Sequence, residues 1–455
     1  MNLTERIAPS LTLAVLAYAS LVPFYYLRPL SLTANLPPFS FARYLPLCAG
    51  VFMLLVWTTD LLRGVARFAR TPVDLPVICI LAAGLASLVN APFFGIGVVK
   101  LGYYTLTGIL FSYLLAYSLN SVRAIHRYLI GIGSILAVTV AYTAFCRFAG
   151  QDHLWGEVHR AYNPYSHDPV YRASAPFGNP ISTGTYLVLG LPLIVWLCRH
   201  APSLRFRAVH GLVACLALYV VLVTQSRGAW LSLAAVAAIF AAYGAGILLR
   251  RLSPTRIAVL LTIAVLSLPV ANSLSTVTGI TSRVETLVAR VADRAQMLFP
   301  DTLLASEGFR IAQYRTTANV LRDHPLLGIG WGNFTRVFDR YKDASTPTGP
   351  RHTAHTTENM FLMYAVETGV VGLVCALGLF GAVVRLCLKL HHRFPPGSER
   401  DLALAVIAAV GGGMLNMLTW DALNDPTIRL LFWILIGVVL ALERVTGARG
   451  ATARA

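Results

Sequence analysis

Apolar residues in this chain come in long, almost unbroken runs, without the three-to-four residue alternation of a soluble amphipathic helix. Runs of about 18 or more apolar residues predict membrane-spanning helices. About twelve are legible, near 9–27, 41–62, 73–91, 98–118, 127–148, 180–198, 208–225, 228–249, 256–275, 358–388, 402–419 and 428–445. The tenth carries Gly369 and Gly372 and is expected to be tilted or bent. Between the ninth and tenth runs lies a polar segment, 276–357, with amphipathic stretches near 283–298 and 307–322 and a further helix expected at 333–344. Asp323-His324-Pro325-Leu326-Leu327-Gly328-Ile329-Gly330-Trp331-Gly332-Asn333-Phe334 reads as a tight turn, because proline and clustered glycines end helices. The expected organisation is therefore spans one to nine (1–275), a mainly helical loop (276–357), and spans ten to twelve with a tail (358–455). No small-residue cleavage site follows the first run, so 9–27 is read as a retained span.

Composition agrees with this all-α polytopic membrane class. Hydrophobic residues make up 56% and charged residues only 13%, about half the roughly 25% of soluble domains. The net charge of +17 would suggest nucleic acid in a soluble protein, but no basic run or nucleic-acid module is present. Placed on the spans, most of the charge sorts to one side. Arg63, Arg67 and Arg70, then Arg123 and Arg127, Arg199, Arg205 and Arg207, Arg250, Arg251 and Arg256, and Arg385, Lys389, Arg393 and Arg400 fall in alternate connections, and Arg444, Arg449 and Arg454 follow the last span. The positive-inside rule puts these and both termini in the cytoplasm, and loops 149–179 and 276–357 outside. The seven cysteines lie in or beside apolar runs without a C-x-x-C pair, which suggests neither a disulfide framework nor a zinc site.

A few external arginines are left unexplained by that rule: Arg172, Arg227, Arg310 and Arg315. Guanidinium groups grip phosphate oxygens in a bidentate manner, so an anion such as a lipid diphosphate would account for them. An ion-pair network with Glu307, Asp323 and Glu358 would account for them equally. Where the long loop re-enters the membrane the chain reads Arg351-His352-Thr353-Ala354-His355-Thr356-Thr357-Glu358-Asn359. Thr356 or Thr357 can cap the next helix, with Glu358 in its first turn. His352, His355 and Glu358 recur every three residues, and a helical turn would stack them on one face. Beside a bound diphosphate, such groups could take a proton from an attacking hydroxyl.

These residues resemble the O-antigen ligase and O-antigen polymerase superfamily of bacterial envelope glycosyltransferases. The resemblance rests on Phe177-Gly178-Asn179-Pro180, on Gln225-Ser226-Arg227-Gly228-Ala229-Trp230, on Arg310 followed by the 323–334 turn, and on Glu358-Asn359 with Glu367-Thr368-Gly369-Val370-Val371-Gly372. It implies a GT-C-like architecture and a metal-independent, cofactor-free inverting transferase of the bacterial inner membrane, with its site on the periplasmic face. The donor would be a glycan on undecaprenyl diphosphate and the acceptor a sugar hydroxyl of lipid A–core. Arg227 and Arg310 align with the family's diphosphate-binding arginines, Arg172 and Arg315 would assist, and Gln225, Asn179 and Asn359 would support the site. One departure stands out: Glu358 occupies a position where ligases often have histidine, and His355 lies one turn earlier, so either is the candidate base, with His352 nearby. Polymerase action, transfer to protein hydroxyls, and a lipid-linked oligosaccharide flippase are the competing readings. A flippase should show mid-span charges and two comparable halves, neither of which is evident.

Overall fold

The computed structural model describes residues 51–64 apart from 53, 56 and 60, then 70–149, 160–162, 169–251, 308–345 and 356–452. The spans expected at 9–27 and 256–275, the stretch at 283–298, and His352 and His355 lie outside the described residues. Within them the chain is almost wholly helical. Helices α1 (Asp74–Ser87), α2 (Phe94–Tyr104), α3 (Phe111–Ser118) and α4 (Val122–Ala149) come first, and a π-helical turn, Thr105–Leu110, fuses α2 to α3. After a short antiparallel ribbon, β1 (Arg160–Tyr162) with β2 (Pro169–Tyr171), come α5 (Pro180–Arg199), α6 (Leu204–Val223) and α7 (Arg227–Arg251). Then follow α8 (Gly308–Asp323), α9 (Phe334–Tyr341), α10 (Met360–Arg393), α11 (Ser398–Met417) and α12 (Pro426–Thr452). The all-α expectation holds for the bundle; the ribbon is a small addition inside the 149–179 connection, which read as loop because three-residue strands are too short for a period-two signal.

Among the described residues, six helices are long and apolar enough to cross a membrane: the fused α2–α3, α4, α5, α6, α10 and α11. Two shorter apolar helices, Asp74–Asn90 and Arg227–Tyr243, coincide with other predicted runs. Helix α5 is central, with every residue from Ser182 to Leu197 except Val195 buried, and it packs against α4, α6, α7, α11 and α12. Glycines let these helices approach closely. Gly184 faces Ala229, Gly190 faces Leu136, and Gly412 faces Val188 and Val236, the small-residue packing expected where lipid supplies no hydrophobic drive between helices. Leu75, Ile78, Ile130, Val138, Phe145, Leu212, Val374 and Leu377 point outward. Such apolar surface suits hydrocarbon and not water.

The two ends of the bundle differ. At one, the basic end, Asp401 on α11 binds Arg199 at 3.1 Å and His200 at 2.9 Å, and Glu443 on α12 binds Lys389 at 2.7 Å. At the other, α8 and α9 pack on α10, and the turn between them also reaches the end of α1 and the start of α2. This second end is the loop end below.

Candidate functional site

The 323–334 turn and the Glu367–Gly372 motif lie against each other. Gly369 interrupts α10 with φ +68°, ψ −173°, so Val366 and Glu367 keep free carbonyls. Those carbonyls accept the amides of Ile329 (2.9 Å) and Gly330 (3.0 Å), while Val370 N–H donates to Pro325 O at 2.9 Å. A side chain at Gly369 would place Cβ 2.0 Å from Leu326 O, and one at Gly328 (φ +63°) would place it 2.5 Å from Val366 O. The two glycines thus permit one backbone junction. Its other side is tied to the first helices: Trp331 N–H donates to Ser87 Oγ (3.1 Å), Phe93 N–H to Asn333 Oδ1 (3.0 Å), and Lys100 Nζ to Gly332 O (2.8 Å). Glu367 accepts from the amides of Gly332 and Phe334 at the start of α9, where a helix N-terminus favours negative charge. The expected bend in the tenth span is therefore a sharp break that docks the loop.

Just outside this junction Arg310 in the first turn of α8 meets Glu358, with Nε 3.5 Å from Oε2. Glu358 is not in the first turn of a helix. It precedes the N-cap and has φ +53°, one of two non-glycine residues with positive φ among those described, the other being Gln225 (φ +52°). Side chains rarely adopt that conformation, and such strain gathers at functional positions. Thr356 Oγ1 accepts from Glu358 N–H and donates to Oε1, each at 3.3 Å. The cap of α10 is Asn359, whose Oδ1 accepts from Phe361 (2.9 Å) and Leu362 (3.2 Å), and not Thr356 or Thr357 as the sequence suggested. Residues 356–359 are not helical, and the expected stack of Glu358 with His352 and His355 falls on residues outside those described. Asn359→Ala is expected to cost about 1 kcal/mol of stability, the usual value of an N-cap, as read by denaturant unfolding in detergent.

Arg227 opens α7, directly after the strained Gln225. Its neighbour Gly228 packs so tightly on the α11–α12 loop that a Cβ there would lie 2.1 Å from Thr419 Oγ1. Two residues on, in that loop, is Asp421, a residue the sequence reading passed over. It is buried at 4% exposure; Oδ2 accepts from Asn424 Nδ2 at 2.9 Å, and Oδ1 has no hydrogen-bond partner among the described residues. Loss of solvation pushes the Asp421 carboxyl up to about 6; the Asn424 hydrogen bond opposes this and the charges of Glu358 and Asp425 add to it. The Arg310–Glu358 pair, Asp421 in the α11–α12 loop and Arg227 at the start of α7 thus lie toward the same end of the bundle. A pKa raised in the fold means the charged form is disfavoured there. Stability should accordingly rise as pH falls through about 6 toward the ordinary aspartate value of 3.8. Asp421→Asn should be the more stable protein at pH 7.5, by on the order of 3 kcal/mol, with the gap closing near pH 4; melting in detergent across that range checks it.

The remaining candidates have visible structural work. Arg172 Nε donates to Thr224 O (2.7 Å) and its Nη2 to Gln225 O (3.2 Å), closing the end of α6. Arg315 reaches Ser345 Oγ (3.3 Å) and Asp343 (3.9 Å) on the segment after α9. Asn179 Oδ1 caps α5 through Ile181 N–H at 2.9 Å. Arg429 was also not anticipated: it is buried in the second turn of α12, its guanidinium 5.2 Å and 5.3 Å from the Tyr103 and Tyr104 rings. Both omissions lie in Asp421-Ala422-Leu423-Asn424-Asp425-Pro426-Thr427-Ile428-Arg429, and three charges in a short connection at the membrane edge were the available signal.

Residues 211–377 match the model of a family described as O-antigen ligase. The match spans less than half of the chain and supports, for that segment, a likeness to the O-antigen ligase and polymerase superfamily. The match runs from α6 into α10 and includes Arg227, Arg310, the 323–334 turn, Glu358 and Gly369–Gly372. Asp421 lies beyond it. No curated protein matches the chain. Members of this family are glycosyltransferase-like enzymes, and the six long apolar helices among the described residues fit a multi-pass membrane protein.

Proposed function

We propose that the protein is an O-antigen ligase of the bacterial inner membrane. It would have twelve spans, both termini in the cytoplasm, and its long loop between spans nine and ten in the periplasm. The observation that carries the reading is the placing of Arg310 against Glu358, 3.5 Å apart, at the same end of the bundle as Arg227 and within the family's matched segment. Fixed guanidinium groups supply positive charge where a diphosphate leaving group gains negative charge, a preorganised stabilisation worth more in a water-poor site than in solution. The donor is a glycan on undecaprenyl diphosphate and the acceptor a hydroxyl of lipid A–core. In one inverting displacement the hydroxyl oxygen attacks C1, the C1–O bond to diphosphate breaks with its electron pair leaving on the diphosphate, and the hydroxyl proton passes to Glu358 or His355. The loop covers the site and selects the acceptor. Neither a metal nor an organic cofactor is part of this scheme.

A deletion strain tests it. Loss of O-antigen from lipopolysaccharide with accumulation of lipid-linked polymer is the expected result. A single repeat unit on core would instead identify a polymerase. Donor that crosses a liposome bilayer unchanged in the presence of the purified protein would identify a carrier. Comparing Glu358→Gln with His355→Asn in the same strain assigns the base, which is the variant that loses ligation while still inserting.

A further inference from the structure

We propose that a groove between α10 and the turn before α1, at the basic end of the bundle, holds one anionic phospholipid of the bilayer. It lies at the opposite end of α10 from Glu358 and Arg310, and it holds whether or not the chain transfers a glycan. The groove has a volume of about 520 Å³. Gly378, Gly381 and Leu386 of α10 give it an apolar lining, Pro72 lines it from the turn before α1, and Arg385 and Lys389 line it further along α10. Helix α1 packs on α10, yet a Cβ added at Gly378 or Gly381 would meet nothing within 4 Å, so no neighbouring helix fills the room that these two exposed glycines leave. The dimensions suit one leaflet. From Gly378 to Lys389 the helix rises roughly 16 Å, about half of a hydrocarbon core of roughly 30 Å. Because α10 ends at Arg393, Lys389 falls at the membrane surface and Gly378 near the middle of the bilayer.

Charge decides what fills it. Arg385 is exposed and makes no hydrogen bond or ion pair among the described residues. The acids around it are already engaged. Asp74, in the first turn of α1 just after Pro72, accepts from Thr71 N–H and from Tyr113 OH, each at 2.7 Å, and from Thr71 Oγ1. Glu443 on α12 is shared between Lys389 at 2.7 Å and Arg393 at 3.5 Å. Arg385, Lys389 and Arg393 therefore face a single carboxylate, and Arg70 stands two residues before Pro72. An arginine that serves only to fix sidedness can snorkel from any apolar surface and needs no groove beneath it. Here the cation stands over an apolar channel of one leaflet's depth, the form of a phospholipid with a negative head. One acyl chain lies along Gly378 and Gly381, and the phosphate oxygens meet the Arg385 guanidinium, with Lys389 beside it. Such a lipid touches both α1 and α10, so it binds the assembled pair and stabilises it.

The test uses full-length protein in a neutral detergent, titrated with dioleoyl phosphatidylglycerol, dioleoyl phosphatidylcholine or inorganic phosphate and read by native mass spectrometry. Wild-type protein should bind phosphatidylglycerol about five-fold or more tightly than phosphatidylcholine, the scale of one basic residue at an anionic lipid surface, and retain no phosphate. Phosphatidylglycerol should also raise its melting temperature. Arg385→Gln should bring the affinities for the two lipids together and lose that rise. Gly381→Leu, which fills the groove, should weaken binding of both lipids. Both positions are exposed, so neither change should lower the melting temperature of the lipid-free protein. Arg205→Gln, at an exposed arginine of the same end but outside the groove, should behave as wild type. Equal affinity of the wild type for the two lipids would overturn the proposal without need of any variant. A preference that survives both Arg385→Gln and Gly381→Leu would overturn it too, since the lipid would then be held elsewhere on the chain. Phosphate retained as firmly as phosphatidylglycerol would leave only an anion site and no lipid groove.

Discussion

Gly369→Val should leave a protein that cannot close its loop end. Valine at φ +68° costs about 1–3 kcal/mol in backbone strain. Its Cβ would also have to displace Leu326 O, 2.0 Å away, and the backbone on both sides is fixed by the Ile329, Gly330 and Val370 hydrogen bonds. Overpacking of this kind adds about 1–3 kcal/mol. The sum is a large share of a typical net stability of about 5–15 kcal/mol. Denaturant unfolding in detergent should show the loss, and limited proteolysis should cut earliest between α8 and α10. Gly378 on the same helix is the control. A Cβ there meets nothing within 4 Å, so Gly378→Ala should be neutral or gain up to about 1 kcal/mol from helix propensity.

The second large effect is catalytic. Arg310→Ala should reduce glycan transfer by about 10²–10³-fold, the scale for losing one preorganised donor to a developing anion. Arg310→Lys should recover little of it, since an ammonium cannot supply the planar two-point grip of a guanidinium. An ion pair held only for stability makes the opposite forecast, and the geometry allows the two roles to be separated. Arg310 and Glu358 are 27% and 14% exposed, so removing either alone strands a partly buried charge. Arg310→Gln combined with Glu358→Gln should therefore restore much of the stability that either single change loses, while transfer stays absent. Recovery of transfer along with stability would reduce the pair to a structural bridge.

The spans were legible because an apolar run of about 18 residues has few alternatives, and those expected at 180–198 and 402–419 are found as Pro180–Arg199 and Ser398–Met417. What escaped was local backbone geometry. Asn359 and not a threonine caps α10 because Glu358 takes a left-handed turn just before it, and nothing in the residue types of 356–359 announces that turn. Arg172 read as a surplus cation, yet it meets the carbonyls of Thr224 and Gln225 fifty residues away in sequence, a contact that exists only once α6 and the ribbon are placed. Asp421 lay in plain view, but an Asp before a helix ordinarily reads as a cap. Asp425 fills that role, accepting from Thr427 N–H at 2.9 Å, and since both aspartates are buried, only their hydrogen-bond partners separate them. Gly369 fell between these cases: the sequence announced a bend, and the structure showed what the bend binds.

The central claim is that the arginines at the loop end activate a lipid diphosphate donor. Its most direct test is transfer by the purified full-length protein in liposomes, with undecaprenyl-diphosphate-linked glycan and lipid A–core as the two substrates. Wild-type protein should form a glycosidic bond of inverted configuration and release undecaprenyl diphosphate in equal amount, while Arg227→Ala and Arg310→Ala, inserted normally, should give almost no product. Transfer by either variant at the wild-type rate would contradict the account.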